Sequence, residues 1–77
     1  MKRNIYHVVH NNQTEKWDIK QAGLNYNINS FELKKDAEKI AVSMAKIVQP
    51  SQVKIHRLNG KIQKEWTYGN DPEKYLG

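Results

Sequence analysis

The segment Val53–Thr67 is typical of a β-hairpin, and it constrains the fold more than any other part of the chain. At its centre, Asn59-Gly60 supplies two residues that tolerate positive φ, as a two-residue type I′ turn requires. If these two residues form the loop, the strand pairing follows: Arg57 opposite Ile62, Ile55 opposite Lys64, and Val53 opposite Trp66. One face of the hairpin is then apolar at its open end, and the other face is polar.

A second hairpin is predicted near the start of the chain. The stretch Asn4–Val9 is rich in β-branched and aromatic residues, and Glu15–Gln21 alternates between apolar and polar residues. Between them, His10–Thr14 is a polar cluster typical of a turn. Pairing Val9 with Glu15 across this loop places four residues on the core side: Ile5, His7, Trp17 and Ile19. Tyr6 and Val8 then lie on the outer face.

The pattern changes to a helical period between Lys34 and Val48. Apolar residues recur there at steps of three and four and form one stripe: Ala37, Ile40, Ala41, Met44, Ala45 and Val48. Proline disfavours helical geometry in the residue before it, so the helix should end before Gln49-Pro50. A short third strand is predicted around Asn27 to Phe31. The expected fold is α+β, in which two antiparallel β-hairpins form one small sheet against a single α-helix, in the order β-β-(β)-α-β-β.

The length and composition favour one small domain over residues 1–77. We expect an ordered core over about residues 4–68 and a partly flexible tail over residues 69–77. The sequence has no cysteine, which excludes disulfides and is consistent with a reducing, cytoplasmic environment. It also has no run of about eighteen apolar residues, the length that a membrane span needs. No contact with a membrane is therefore predicted.

Several short motifs resemble one known family. They are Tyr6-His7-Val8-Val9, Trp17 with Ile19-Lys20, Phe31 with Lys34-Lys35-x-Ala37, Ala41, Val53-x-Ile55-His56, Asn59-Gly60-Lys61-Ile62-Gln63, and Thr67-Tyr68-Gly69-Asn70-Asp71-Pro72. Together they resemble a small bacterial and phage family catalogued as domain of unknown function 2188, over roughly Ile5 to Pro72. The resemblance implies a compact α+β module of phages and their hosts, and it implies no reaction.

The sequence departs from this family at the start of the helix. Members typically carry a threonine before the helical lysine pair, where its side chain would cap the helix. Leu33 occupies that position here, and its side chain cannot accept hydrogen bonds from the free backbone N–H groups of the first turn. Asp36 stands where the acid of a capping box would be, so we expect Ser30 or a shifted backbone to provide the cap.

No group of residues indicates catalysis or a cofactor. A three-histidine metal site would need His7, His10 and His56 together. On the predicted strands, however, His7 and His10 point to opposite faces, and His56 lies on the outer face. We therefore expect His7 to pack against Trp17. No pair of carboxylates is predicted on the apolar face, where burial would raise a pKa, so the protein is not expected to be an enzyme.

The outer sheet face is the best candidate for function. Its predicted binding residues are Lys16, Lys20, Lys54, His56, Lys61 and Tyr6. The formal net charge of +5 at pH 7 favours a polyanionic partner, and a small sheet with basic and aromatic side chains can bind DNA or RNA. Lysines on a sheet face also protect against edge-to-edge aggregation, and the sequence supports that interpretation equally well.

Protein binding is the alternative function. In this interpretation the chain is a modulator of phage or prophage origin that acts on a host protein complex. Ile62 and Trp66 would form an apolar patch on the sheet, which a host protein or a second copy of the chain would cover.

Overall fold

A five-stranded mixed β-sheet carries one α-helix across one face in the computed structural model, which describes residues 3–69. The elements are β1 (Asn4–Asn11), β2 (Lys16–Gln21), β3 (Asn27–Phe31), α1 (Lys34–Ile47), β4 (Ser51–His56) and β5 (Ile62–Tyr68). The strand order is β3-β2-β1-β4-β5, with β1 and β4 parallel and the other pairs antiparallel. The α+β class and the third strand agree with the prediction, but the sheet is mixed, because β1 and β4 pair in parallel. Apart from Gly69, the predicted tail lies outside the described residues.

The register of the first hairpin differs from the predicted one. His7 lies opposite Lys20, three positions beyond the expected Trp17. A shift by an odd number of residues turns each side chain of one strand to the other face relative to its partner. Tyr6 and Val8 therefore face α1 and are buried, whereas His7 lies on the face that α1 leaves open.

The side chain of Asn11 explains this register. Its Oδ1 accepts the backbone N–H groups of Gln13 and Thr14, at 2.9 and 3.3 Å, which closes a tight turn after Asn11. Glu15 ends the loop with a φ of 61°. The loop is thus Asn12–Glu15 instead of the predicted His10–Thr14, and β1 continues two residues beyond Val9.

The second hairpin keeps its predicted pairing away from the turn, with Val53 opposite Trp66 and Ile55 opposite Lys64. The turn itself is not type I′, because Gly60 has a positive φ of 89° and Asn59 does not. The Gly60 N–H donates to the Arg57 carbonyl, and the Arg57 N–H donates to the Lys61 carbonyl. This is a three-residue loop with a glycine bulge.

A second bulge at Gln63 compensates for that loop. Ile62 lies opposite His56 instead of the predicted Arg57, and the register shifts between Ile55 and His56. Gln63 accepts a hydrogen bond from Lys34 of α1, so its side chain points to the helix side of the sheet. The two irregularities cancel, which is why the rest of the hairpin keeps the predicted pairing.

Small residues allow α1 to lie close to the sheet. Ala37, Ala41 and Ala45 are completely buried against the central strands, as the apolar stripe predicts. The helix ends at Ile47, one residue before the predicted Val48. At its start, Leu33 has the extended backbone of a capping residue but makes no capping hydrogen bond with its side chain. Ser30 does not replace it, because the Ser30 hydroxyl donates to Asp18.

Candidate nucleic-acid interface

The open face of the sheet, the face without the helix, carries a row of polar residues that crosses four strands. His7 on β1 is paired with Lys20 on β2 and with Lys54 on β4, and Lys54 is paired with Glu65 on β5. Directly paired residues point to the same face of a sheet. The Lys54 ammonium lies 4.0 Å from the Glu65 carboxylate, the outer limit of an ion pair. Two lysines thus flank one central histidine.

His7 and His56 form a hydrogen-bonded pair within this surface. The two atoms joined are His7 Nδ1 and His56 Nε2, 2.9 Å apart, and the rings are tilted by 41°. The other ring nitrogen of His56, Nδ1, lies 2.8 Å from the Gly60 carbonyl oxygen, which can only accept a proton. When both rings are neutral, His56 therefore donates to Gly60 and accepts from His7. The backbone of the β4–β5 turn thus orients both imidazoles.

The surroundings of His7 disfavour its charged form. Partial burial lowers the pKa of His7 below its ordinary value, and the neighbouring His56 and Lys54 lower it further by charge repulsion. Next to the pair is a groove of about 450 Å³, which Val9, Lys20 and the loop Ala22–Leu24 also line. The open face is therefore a shallow basic surface with a titratable centre.

Asp18 also belongs to this face by register, yet only 1% of its surface is exposed. Its carboxylate accepts hydrogen bonds from the side chains of Asn11 and Asn27, both at 3.0 Å, and from the Ser30 hydroxyl at 2.6 Å. These donors come from β1 and β3, on either side of β2. Asp18 thus ties three strands together.

The structure assembles part of the predicted site and corrects another part. Lys20, Lys54 and His56 lie around His7 on the open face, and Lys16 is exposed at the start of β2. Tyr6 was predicted on this face but is only 3% exposed and belongs to the core, because of the register shift in the first hairpin. Lys61 lies at the turn between β4 and β5, opposite Arg57.

His7 is the residue of this surface that the sequence pattern assigned to the wrong side. His10, not His7, packs against Trp17, with ring centroids 4.9 Å apart. The expectation that His7 and His10 point to opposite faces holds, since one contacts His56 and the other Trp17. A signal for the observed register was present in Asn11, whose short polar side chain is typical of the first residue of a turn.

The predicted apolar patch does not form, because Ile62 and Trp66 lie on different faces. Trp66 is opposite the buried Val53 on the helix side, and Ile62 is opposite His56 on the open face. The bulge at Gln63 causes this separation. Each residue is nonetheless substantially exposed, at 45% for Ile62 and 43% for Trp66.

Over residues 3–69, no three side chains of His, Cys, Asp or Glu lie close enough together to hold a metal ion. Over the same residues, no helix has both the length and the apolar character needed to cross a membrane.

Comparison with known proteins supplies a family. Neither the curated proteins nor the solved structures include a match to this chain. The sequence model of one family, described as "Uncharacterized protein conserved in bacteria (DUF2188)", matches residues 6–68. This range runs from the core residue Tyr6 in β1 to Tyr68 at the end of β5, so it includes the helix and all of the sheet except Asn4 and Ile5 of β1. The chain therefore belongs to the bacterial family of uncharacterized proteins DUF2188.

Proposed function

We propose that this domain is a non-enzymatic nucleic-acid-binding module that contacts DNA or RNA through the open face of its sheet. The observation that carries the proposal is the row in which Lys20 and Lys54 flank His7. Strands lie about 4.8 Å apart, so the two lysines are attached roughly 10 Å from each other across the sheet. Two cations at this spacing can contact separate phosphates of one nucleic-acid backbone.

The placement of Tyr6 defines the mode of binding. With Tyr6 in the core, base stacking on that ring has no part in the proposal. The lysines act on phosphates, which are the same in every sequence. We therefore expect low sequence preference and a steep dependence on salt, because binding releases counterions from the nucleic acid. The net charge of +5 contributes a long-range attraction.

The hydrogen bonds of the open face support a non-enzymatic role. Asp18, the buried carboxylate of this face, already accepts three hydrogen bonds that hold strands together. Both of its oxygens are occupied, so it has a structural role instead of that of a free general base. The His7–His56 pair is in turn oriented by a backbone carbonyl.

The test compares two double charge reversals by fluorescence anisotropy. Labelled single-stranded DNA, double-stranded DNA and RNA are titrated at low and at near-physiological salt. We expect Lys20→Glu with Lys54→Glu to weaken binding at least tenfold and to reduce the salt slope by roughly two phosphate contacts. The matched control is Lys39→Glu with Lys46→Glu on α1, which changes the net charge equally.

Two outcomes would contradict the proposal. The first is equal weakening by the two double variants, which would mean that only net charge matters. The second is the absence of binding by the unsubstituted protein at near-physiological salt. Circular dichroism of each variant establishes that the fold persists. Lys20 is exposed and Lys54 makes only a 4.0 Å ion pair, so the fold should tolerate both substitutions.

A further inference from the structure

The helix side of the sheet has a groove between α1 and β5, away from the open face. Its volume is about 440 Å³, and its apolar lining comes from Val42 of α1 with Trp66 and Tyr68 of β5. Trp66 is 43% exposed, a large aromatic surface to leave in water. The sequence predicted that Trp66 and Ile62 form one apolar patch on the sheet. In the structure, Trp66 instead lines a groove together with residues of α1.

Lysines surround this groove. Lys35, Lys39 and Lys46 line it from α1, on the same side of the helix as Val42. The Lys46 ammonium lies 5.8 Å from the centre of the Tyr68 ring. Among the lining residues, Glu38 is the one acid, and its carboxylate is 3.2 Å from the Lys64 ammonium. The groove thus retains a positive charge that no carboxylate of its own lining neutralises.

Strand β5 also presents a free edge next to this groove. Within residues 3–69, β4 is the single strand neighbour of β5. The backbone N–H and C=O groups on the outer side of an edge strand can pair with another extended chain. Six of the seven residues of β5 are exposed, so α1 does not block access to this edge.

We propose that β5 binds an extended acidic segment of another protein, which adds to the sheet as a further strand. Side chains of such a strand alternate between the two faces. Those on the helix side would reach the groove, where acidic residues meet Lys35, Lys39 and Lys46 and an apolar residue packs on Trp66. Nucleic acid would also be attracted to these lysines, but it lacks the alternating N–H and C=O groups that pair along the edge of a strand. The groove and the edge together favour a polypeptide.

The test starts from a random ten-residue peptide display library selected on the immobilised protein. We expect selected peptides that lack proline, carry Asp or Glu at alternate positions, and include an apolar residue on the same side. A synthetic peptide of the selected sequence should shift the amide NMR signals of β5. In a scan that methylates one backbone nitrogen of the peptide at a time, every second methyl group should abolish binding and those between should have little effect. The reason is that alternate N–H groups of the peptide face β5.

Matched variants locate the binding site. Lys35→Glu, Lys39→Glu and Lys46→Glu together should weaken the peptide at least tenfold. The control reverses Lys16, Lys20 and Lys54 to Glu, which changes the net charge equally and should leave peptide binding nearly unchanged. Because the control disables the proposed nucleic-acid surface, the two proposals can fail separately.

Several results would overturn the inference. They are a selection without enriched peptides, enriched peptides without an acidic pattern, and equal loss of peptide binding in both triple variants. A labelled oligothymidine that shifts the β5 signals, and that the selected peptide does not displace, would assign the groove to nucleic acid instead. Circular dichroism identifies any variant that fails to fold. If the triple variant does not fold, the single variant Lys39→Glu replaces it.

Discussion

His7 and His56 share a hydrogen bond of 2.9 Å on the open face, although 49 positions separate them in the sequence. The contact exists because β1 and β4 are parallel neighbours in the sheet. Lys54 is directly paired with His7, so protonation of both imidazoles would bring three positive charges together. Glu65, which is paired with Lys54, is the acid that offsets part of this charge.

The stability of the domain should depend on pH through His7. Its pKa in the folded protein lies below the ordinary value of 6.5, so the unfolded chain takes up the proton at higher pH than the folded chain. The contribution of His7 to stability is therefore complete above pH 6.5 and is lost as pH falls toward the folded pKa. Urea unfolding between pH 8 and pH 5 measures this decrease. In His7→Asn the decrease should be smaller, and an identical pH profile in the variant would contradict the assignment.

The buried Asp18 should be important for stability. Asp18→Ala would leave three donors without their acceptor, and we expect a loss of roughly 2–4 kcal/mol in the free energy of unfolding. Asp18→Asn keeps one side-chain oxygen as acceptor and should cost less. Urea unfolding at pH 7.5 checks the order of the two variants. If both unfold at the same urea concentration as the natural sequence, the three hydrogen bonds contribute nothing to stability.

A better helix cap should stabilise the domain. Leu33 has extended backbone angles, is 52% exposed and makes no side-chain capping bond. The hydroxyl of a serine there would accept a hydrogen bond from a backbone N–H group of the first turn. We therefore expect Leu33→Ser to raise the free energy of unfolding by about 1 kcal/mol. Thermal unfolding of Leu33→Ser and of the control Leu33→Ala separates the cap from the loss of the leucine side chain. A serine variant no more stable than the alanine variant would show that the first turn is already satisfied.

Gly69 should tolerate a side chain less well than Gly23. Both have a φ near +100°, at 109° and 94°, so alanine is strained at either position. A Cβ on Gly69 would lie 2.7 Å from the Cα of Pro50, whereas a Cβ on Gly23 meets nothing within 4 Å. We expect Gly69→Ala to lower the melting temperature clearly more than Gly23→Ala. Equal effects would mean that the backbone near Pro50 moves aside freely.

The second hairpin shows how much of a strand pairing can be predicted from the alternation of apolar and polar residues. Val53 and Ile55 are apolar and their neighbours are polar, so one face of β4 is unambiguous, and their partners were predicted correctly. The turn was predicted less well, because Asn59-Gly60 fits a two-residue loop and also the observed three-residue loop with a glycine bulge. The loop length decides which face of the sheet Ile62 occupies, and therefore whether Ile62 and Trp66 form one apolar patch.

In β1, by contrast, the same method could not choose a face. Ile5, His7 and Val9 alternate with Tyr6 and Val8, so both faces of this central strand carry apolar residues. The hydrogen bonds of Asn11 to the turn and to Asp18 select the register that buries Tyr6. That selection moved His7 into the candidate site and removed Tyr6 from it.

Local patterns were therefore sufficient for the α+β class, the helix and the presence of both hairpins, because the period of apolar residues depends on near neighbours in the chain. The candidate interface required the tertiary structure, since the parallel pairing of β1 with β4 brings His7 beside Lys54 and His56. Parallel strands are joined by a long crossover, here through β2, β3 and α1, and no local pattern records which residues will become neighbours. The groove beside Trp66 has the same origin, since α1 and β5 meet only when the sheet is complete.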